Sequence, residues 1–377
     1  MAGIYIHIPF CHRKCAYCDF YKTTDLSFKS RFIDAILKEL NQRKDFFQGE
    51  SINTIYFGGG TPSVLAYHEI ELILEKIGNL FVVKKNAEIT FEANPDDLTP
   101  PYLKNLSETP VNRLSIGVQS FFENDLKMMN RRHNSIQASK CVEDAFDSGF
   151  ENISIDLIYG LPGLNIDSWK TNLYKAFLLP VDHISAYHLT YHKGTWFYDL
   201  LKKGIIKEIS EDDSIAQFEV LIEIAIKNGF EHYEISNFAK NEMYSKHNSS
   251  YWFNEKYLGI GPSAHSYDTK TRQWNISNLE KYFRFIESEK VFFEKEILSE
   301  TDKFNDYIIT RLRTKWGISE QQLATSFGIE KWNFLEKNIQ PYLTNRYIIE
   351  KNGAFTLTQK GMFIFDKIME ALIFVET

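Results

Sequence analysis

The chain has 377 residues, 44% hydrophobic and 25% charged, the balance of a globular protein long enough for one large domain and a small one. Its 43 Lys and Arg are outnumbered by 50 Asp and Glu, a net charge of −7 that leaves no electrostatic footprint for nucleic acid. No run of 18 apolar residues occurs, and Met1 leads into an alternating strand rather than a charged and then apolar leader, so a cytoplasmic protein is expected.

In chain order, Ile4 to Ile8 alternates apolar and polar residues, the period of a strand, and delivers the chain into Cys11-His12-Arg13-Lys14-Cys15-Ala16-Tyr17-Cys18. Phe28, Phe32, Ile33, Ile36, Leu37 and Leu40 follow at helical spacing. Ile52 to Phe57 reads as an apolar strand ending in Gly58-Gly59-Gly60-Thr61-Pro62, with a helix after it that carries Ile70, Ile73, Leu74, Ile77 and Leu80. The alternation continues through strands at Ala87 to Glu92, Val111 to Gly117, Asn152 to Ile158 and His183 to Leu189. Six such units predict a parallel sheet with crossover helices. The unusual residues choose between an open sheet and a barrel. Cys11 to Cys18, Gly58 to Gly60, Glu92, Gln119 and Asp156 fall at or just beyond the C-terminal ends of five strands, which converge on one face only in a barrel. The expected fold is therefore α/β, with a partial six-unit barrel over residues 1–230 that closes on an amphipathic helix, Asp212 to Lys227.

Residues 231–298 are expected to form a loop-rich extension. From 299 to 377, helical segments near 302–313, 319–326 and 330–340 precede Tyr347-Ile348-Ile349 and Phe355-Thr356-Leu357, joined across Asn352-Gly353. Three helices and a hairpin describe a small winged-helix-like domain. Glu330, Lys331, Glu336 and Lys337 cancel along its third helical segment, which points to structural or protein contacts rather than DNA.

Three of the four cysteines lie within eight residues, and thiols kept free in this way suit a reducing compartment. Thiolates select iron–sulfur clusters, zinc or copper. The fourth, Cys141, sits at helical spacing with Ile136, Val142, Ala145 and Phe146, where a buried inert thiol is expected. Three thiolates leave one iron of a four-iron cluster without a protein ligand, as a catalytic zinc keeps an open position. A structural zinc knuckle would want a fourth Cys or a close His, and His12 is the only near one. The glycine run at a strand end lets backbone approach a ligand, or is a plain tight turn. Glu92 ends an otherwise apolar strand, so its carboxylate needs a cationic or hydroxyl-bearing ligand or a neighbouring Lys or Arg. Gln119, Arg131 and Asp156 pose the same choice.

The cysteine spacing resembles that of the radical S-adenosylmethionine (SAM) superfamily, whose open iron holds the amino and carboxylate groups of the cofactor. The resemblance extends along most of the chain. Tyr5-x-His7-Ile8-Pro9-Phe10-Cys11, the Gly-Gly-Gly-Thr-Pro run, Glu92-Ala93-Asn94-Pro95, Ser115 to Gln119, Asp156 to Pro162, Tyr257 to His265 and Leu312-Arg313-Thr314-x-x-Gly317-Ile318 are similar to the oxygen-independent coproporphyrinogen III dehydrogenase group. It implies that Cys11, Cys15 and Cys18 bind a 4Fe-4S cluster and that Tyr5, Tyr17, Gly59, Gly60, Thr61, Glu92, Gln119, Arg131 and Asp156 contact SAM.

Two departures stand out. The dehydrogenases carry a further cysteine two residues after the third, where this chain has Phe20, and a long N-terminal extension, where this chain has ten residues before Cys11. His247-Asn248-Ser249-Ser250-Tyr251-Trp252 in turn resembles the signature of the radical SAM haem chaperones (HemW-type), which implies haem binding by His247. Imidazole is an axial ligand of haem iron, and Tyr251 and Trp252 have faces to pack on a porphyrin. The plain alternative is a loop His among packed aromatics. His7, His133, His183, His188, His192, His232 and His265 are expected to be structural. The resemblance thus implies a chaperone that binds haem and delivers it to apo-haemoproteins such as respiratory-chain enzymes, with room for a homodimer and peripheral membrane contact. The alternatives are a coproporphyrinogen III dehydrogenase and, third, an electron-transfer cluster protein.

Overall fold

The computed structural model describes residues 2–376. Six strands, β1 (Ala2–Ile8), β2 (Ile52–Gly59), β3 (Val83–Ala93), β4 (Arg113–Gln119), β5 (Ile153–Tyr159) and β6 (His183–His188), pair in sequence order, each parallel to the next. Their outward residues are apolar: Ile4, Ile6 and Ile8 on β1 and Leu114, Ile116 and Val118 on β4 are fully buried. Against them packs the stripe Phe32, Ile33, Ile36 and Leu40 of the helix Lys29–Gln42, each such side chain contributing about 1.5–3 kcal/mol on burial. Inward residues are largely polar, and the parallel register levels them: Tyr5 with Tyr56, Glu92 with Ser115, Asp156 with Ser185. This polar lining explains why the strands alternate, whereas a parallel strand buried between two apolar layers reads as a continuous apolar run.

Residues 231–298 correct the loop-rich expectation. They hold six more strands of the same sheet: β7 (Glu231–Glu234), β8 (Asn237–Ala239), β9 (Lys256–Ile260), β10 (His265–Tyr267), β11 (Thr271–Asn275) and β12 (Phe293–Ile297). β8 runs antiparallel to β6, while β9 lies parallel to β1 and leads out through β10 to β12. These strands are three to five residues long and mix charged, aromatic and apolar residues, so no strand-length alternation marks them in the sequence. Between the two flanks the helix Lys246–Trp252 crosses the N-terminal end of the barrel.

The last domain has its own core around Phe304, Ile308, Leu335, Ile339 and Leu372. Its long helix, Glu320–Thr344, breaks at Gly328 (φ 78°), which accounts for the two helical periods in the sequence. β13 (Ile318–Ser319), β14 (Ile348–Lys351) and β15 (Ala354–Leu357) form its sheet, and Asn352 and Gly353 both take positive φ in the two-residue turn of the hairpin. The domain docks on the barrel through Arg313, 2.7 Å from the buried carboxylate of Glu234.

Candidate functional site

The C-terminal ends of β1 to β6 surround a cavity of ≈ 420 Å³. Of the residues singled out from sequence, Cys11, Cys15, Tyr17, Cys18, Gly59, Gly60, Thr61, Glu92, Gln119, Arg131 and Asp156 all line it. A flat sheet would spread the ends of six strands too far for this. Gly60 marks where β2 meets the cysteine loop: a Cβ there would lie 2.7 Å from the carbonyl oxygen of Ile8 and 2.8 Å from that of Phe10.

Hydrogen bonds already point at the thiols. Thr61 Oγ1 donates to Cys11 Sγ (3.3 Å), and Arg131 Nη1 donates to Cys15 Sγ (3.3 Å) and to Tyr17 Oη (3.4 Å). Lys22 Nζ donates to the Cys18 carbonyl (2.6 Å). Burial pushes the Cys11 thiol up to about 11, against the pull of the Thr61 hydroxyl, so a thiolate here needs the positive charge of bound metal. Among the described residues no set of three His, Cys, Asp or Glu side chains closes on a single ion. A four-iron cube asks something different, since each thiolate binds its own iron.

Across the cavity, Glu92 accepts Tyr56 Oη (2.7 Å) and the Gly59 N–H (3.2 Å). Burial raises its carboxyl to about 7, with Asp156 adding to the rise and Tyr56, Gly59 and Arg113 opposing it. Asp156 is likewise raised by burial, to about 6, against the pull of Arg113. Arg131 Nη2 donates to Asn94 Oδ1 and to the Gly117 carbonyl, both at 2.7 Å, while its Nε has no partner among the described residues. Gln119 is held at φ 66°, just where the β4–β5 register shifts, so a bulge turns its side chain into the cavity at a backbone cost of about 1–3 kcal/mol. Two carboxylates, a guanidinium, an amide and exposed backbone can together hold a ligand that carries both amino and carboxylate groups.

Two of the residues singled out from sequence lie apart from this lining. Tyr5 does not line the cavity: it lies lower on β1, where its hydroxyl meets His7 Nδ1 at 3.2 Å and its ring stacks on Tyr56, centroids 6.0 Å apart. His247 stands on a helix rather than a loop, and both of its ring nitrogens are hydrogen-bonded. It sits fully buried on the helix Lys246–Trp252, with Nδ1 2.8 Å from Thr54 Oγ1 and Nε2 2.8 Å from Tyr251 Oη. Conversely, Asn94 and Lys22, which have no expected role, and His188 and His192, expected to be structural, also line the cavity. Asn94 was within reach, because it follows Glu92 by two residues and a strand returns to the same face every second residue. Lys22 and His192 stand on loops, where no periodicity places a side chain, and His188 is the last residue of β6.

Comparison with known proteins bears on the whole chain. Residues 5–173 match the model of the radical SAM superfamily, and residues 298–364 that of the HemN C-terminal domain. The chain is 34% identical over 369 residues to the heme chaperone HemW of Lactococcus lactis subsp. lactis, covering 98% of this chain and 96% of that one. It is 33% identical to the heme chaperone HemW of Bacillus subtilis, covering 99% of each. Among solved structures it resembles the coproporphyrinogen III oxidase HemN of Escherichia coli, a radical SAM enzyme, with a TM-score of 0.86 and 22% identity over 99% of this chain and 90% of that one. That likeness establishes a shared α/β fold with the C-terminal domain included.

Proposed function

The chain belongs to the radical SAM proteins of the heme chaperone HemW family, and from that premise we propose that it binds haem and delivers it to apo-haemoproteins such as respiratory-chain enzymes, carrying a 4Fe-4S cluster and SAM in the cavity. Cys11, Cys15 and Cys18 would hold the cluster, leaving one iron open. Gly59, Gly60, Thr61, Glu92, Gln119, Arg131 and Asp156 would surround SAM, with the acidic pair answering its positive charge. When bound, the cluster and SAM supply one-electron chemistry. The chain's own residues orient and shield them: Arg131 ties the cysteine loop to β3 and β4 through Cys15, Asn94 and Gly117, and Thr61 fixes Cys11.

The observation that carries the choice of chaperone over dehydrogenase is Phe20. It lines the cavity and is 63% exposed, an apolar surface at the position where the dehydrogenases carry a further cysteine. The deciding experiment offers haem and coproporphyrinogen III, anaerobically and with SAM, to the cluster-reconstituted protein. Haem binding followed by transfer to an acceptor apoprotein, without decarboxylation of coproporphyrinogen III, is expected. Formation of protoporphyrinogen IX would replace the chaperone reading with the enzyme. Among the described residues no helix is long and apolar enough to cross a membrane, so delivery to membrane-bound enzymes would need peripheral contact.

A further inference from the structure

His247 has both ring nitrogens hydrogen-bonded at the far end of the barrel, whereas the rim of the cavity offers two further imidazoles. His188 ends β6, exposed but with its ring against Gly160 and Tyr159. A Cβ on Gly160 would come within 2.5 Å of its Nε2, and its ring meets Tyr159 edge-on at 5.1 Å. His192, four residues on, differs in having a carboxylate beside its ring. It is 48% exposed, and its Nδ1 lies 3.4 Å from the Asp19 carboxylate, next to the cluster loop. No described residue hydrogen-bonds to its Nε2. With the carboxylate beside Nδ1, Nε2 is the ring nitrogen left for a ligand, the arrangement that metal-ligating histidines adopt.

The surroundings of His192 supply the rest of what a haem asks for. Phe20 and Tyr187 line the same rim, both exposed, and provide apolar surface for a porphyrin face. Arg13 and Lys22 line it too, cations suited to two propionates. Arg13 makes no ion pair among the described residues, so its charge is free for a ligand. An exposed apolar face, two cations and a carboxylate-oriented imidazole thus meet beside one cavity. Singly each is an ordinary surface feature; together they match an amphipathic, dicarboxylate, iron-bearing disc.

Resting on the haem-chaperone reading, we propose that haem binds on the rim of the cavity with Nε2 of His192 as its axial ligand, Asp19 orienting that imidazole, Phe20 against the porphyrin and Arg13 and Lys22 toward its propionates. Because Asp19 follows Cys18 directly, the haem would sit beside the cluster loop rather than at the far end of the barrel where His247 lies.

The test is a haem titration of the full, cluster-reconstituted chain, read as Soret position and dissociation constant for the wild type, His192→Ala, Asp19→Asn and His247→Ala. His192→Ala should move the Soret band and weaken haem by at least about tenfold, and added imidazole should restore the wild-type band. Asp19→Asn should weaken haem less, without displacing the band as far. His247→Ala should leave the band in place. A wild-type band and affinity in a folded His192→Ala protein would overturn the rim site while leaving the chaperone reading intact, and so would loss of the band in His247→Ala alone. A wild type that binds no haem at all would overturn both.

Discussion

The two ends of the barrel are both polar and both largely buried, yet they treat their polar groups in opposite ways. At the N-terminal end His247 spends both ring nitrogens on Thr54 and Tyr251, Glu88 accepts the backbone N–H groups of Lys246 and His247, and His183 bridges Ser154 and Tyr233 at 2.7 Å each. At the C-terminal end Arg131 Nε has no partner among the described residues, Glu92 and Asp156 are raised toward neutrality, and three thiols stand within reach of one cavity. Buried polar groups that close on one another build the scaffold. Groups left open are held for a ligand.

The largest effect should come from emptying the open end. Cys15→Ala is expected to abolish the about four irons per chain that anaerobic reconstitution installs, as measured by iron and labile-sulfide analysis. Cys141→Ser is its internal control. Cys141 is buried on the helix Ser135–Asp147, and burial holds its thiol well above the ordinary range, so that variant should keep the cluster absorbance and lose only stability. A cluster that survives Cys15→Ala, or fails in Cys141→Ser, contradicts the assignment of three thiols.

At the closed end, His247→Ala should cost about 2–4 kcal/mol of stability, because it opens a cavity and strands the Thr54 and Tyr251 hydroxyls. Denaturant unfolding measures the loss, and iron content should be unaffected. If His247→Ala lost iron without losing stability, the division between the two ends would fail.

The open end was legible in the sequence because its residues sit on strand ends next to glycines, cysteines and carboxylates that break an apolar pattern. Even there, periodicity delivered Glu92 and Asp156 but not the loop residues His192 and Lys22. The closed end was less legible. His247 and Tyr251 are one helical turn apart, a spacing that says they share a face, but nothing local says that this face plugs a barrel whose other walls are Thr54 and Tyr5. Likewise β9 pairs with β1 from more than 250 positions away, and no short-range pattern encodes such a partner.

A smaller effect is expected at Glu92. Replacing it by Gln removes a charge while keeping an acceptor for Tyr56, and should weaken SAM by about 1.5–3 kcal/mol in calorimetry with the cluster still assembled. Its raised carboxyl also fixes a sign. The ordinary value lies near 4.5 and the folded value near 7, so between these the folded chain keeps a proton that the unfolded chain has released. Stability of the ligand-free protein should therefore fall as pH rises through that window, while affinity for cationic SAM should rise through the same window. Glu92→Gln should flatten both profiles. Unchanged affinity would return Glu92 to a purely structural role.

The finest test lies where the two ends meet. Arg113, on β4 level with Thr90, is 1% exposed, and its guanidinium makes no hydrogen bond to any described residue. It belongs to neither pattern: its valences are not closed, and it does not line the cavity. Its charge nevertheless acts on both ends, pulling down Glu92 and Asp156 above and holding His183 and His247 neutral below, where burial already lowers them. Glu92 otherwise faces Tyr56, the Gly59 N–H and Asp156, none of them cationic. Arg113→Leu should therefore let both carboxyls rise and move the midpoint of the SAM affinity profile upward by about half a unit to one unit. Calorimetry across pH 5.5 to 8.5 measures it, at roughly 1 kcal/mol of lost affinity near neutrality. A folded Arg113→Leu protein with an unmoved midpoint would mean that the open end sets its own protonation, and that the two halves of the barrel share walls but not charge.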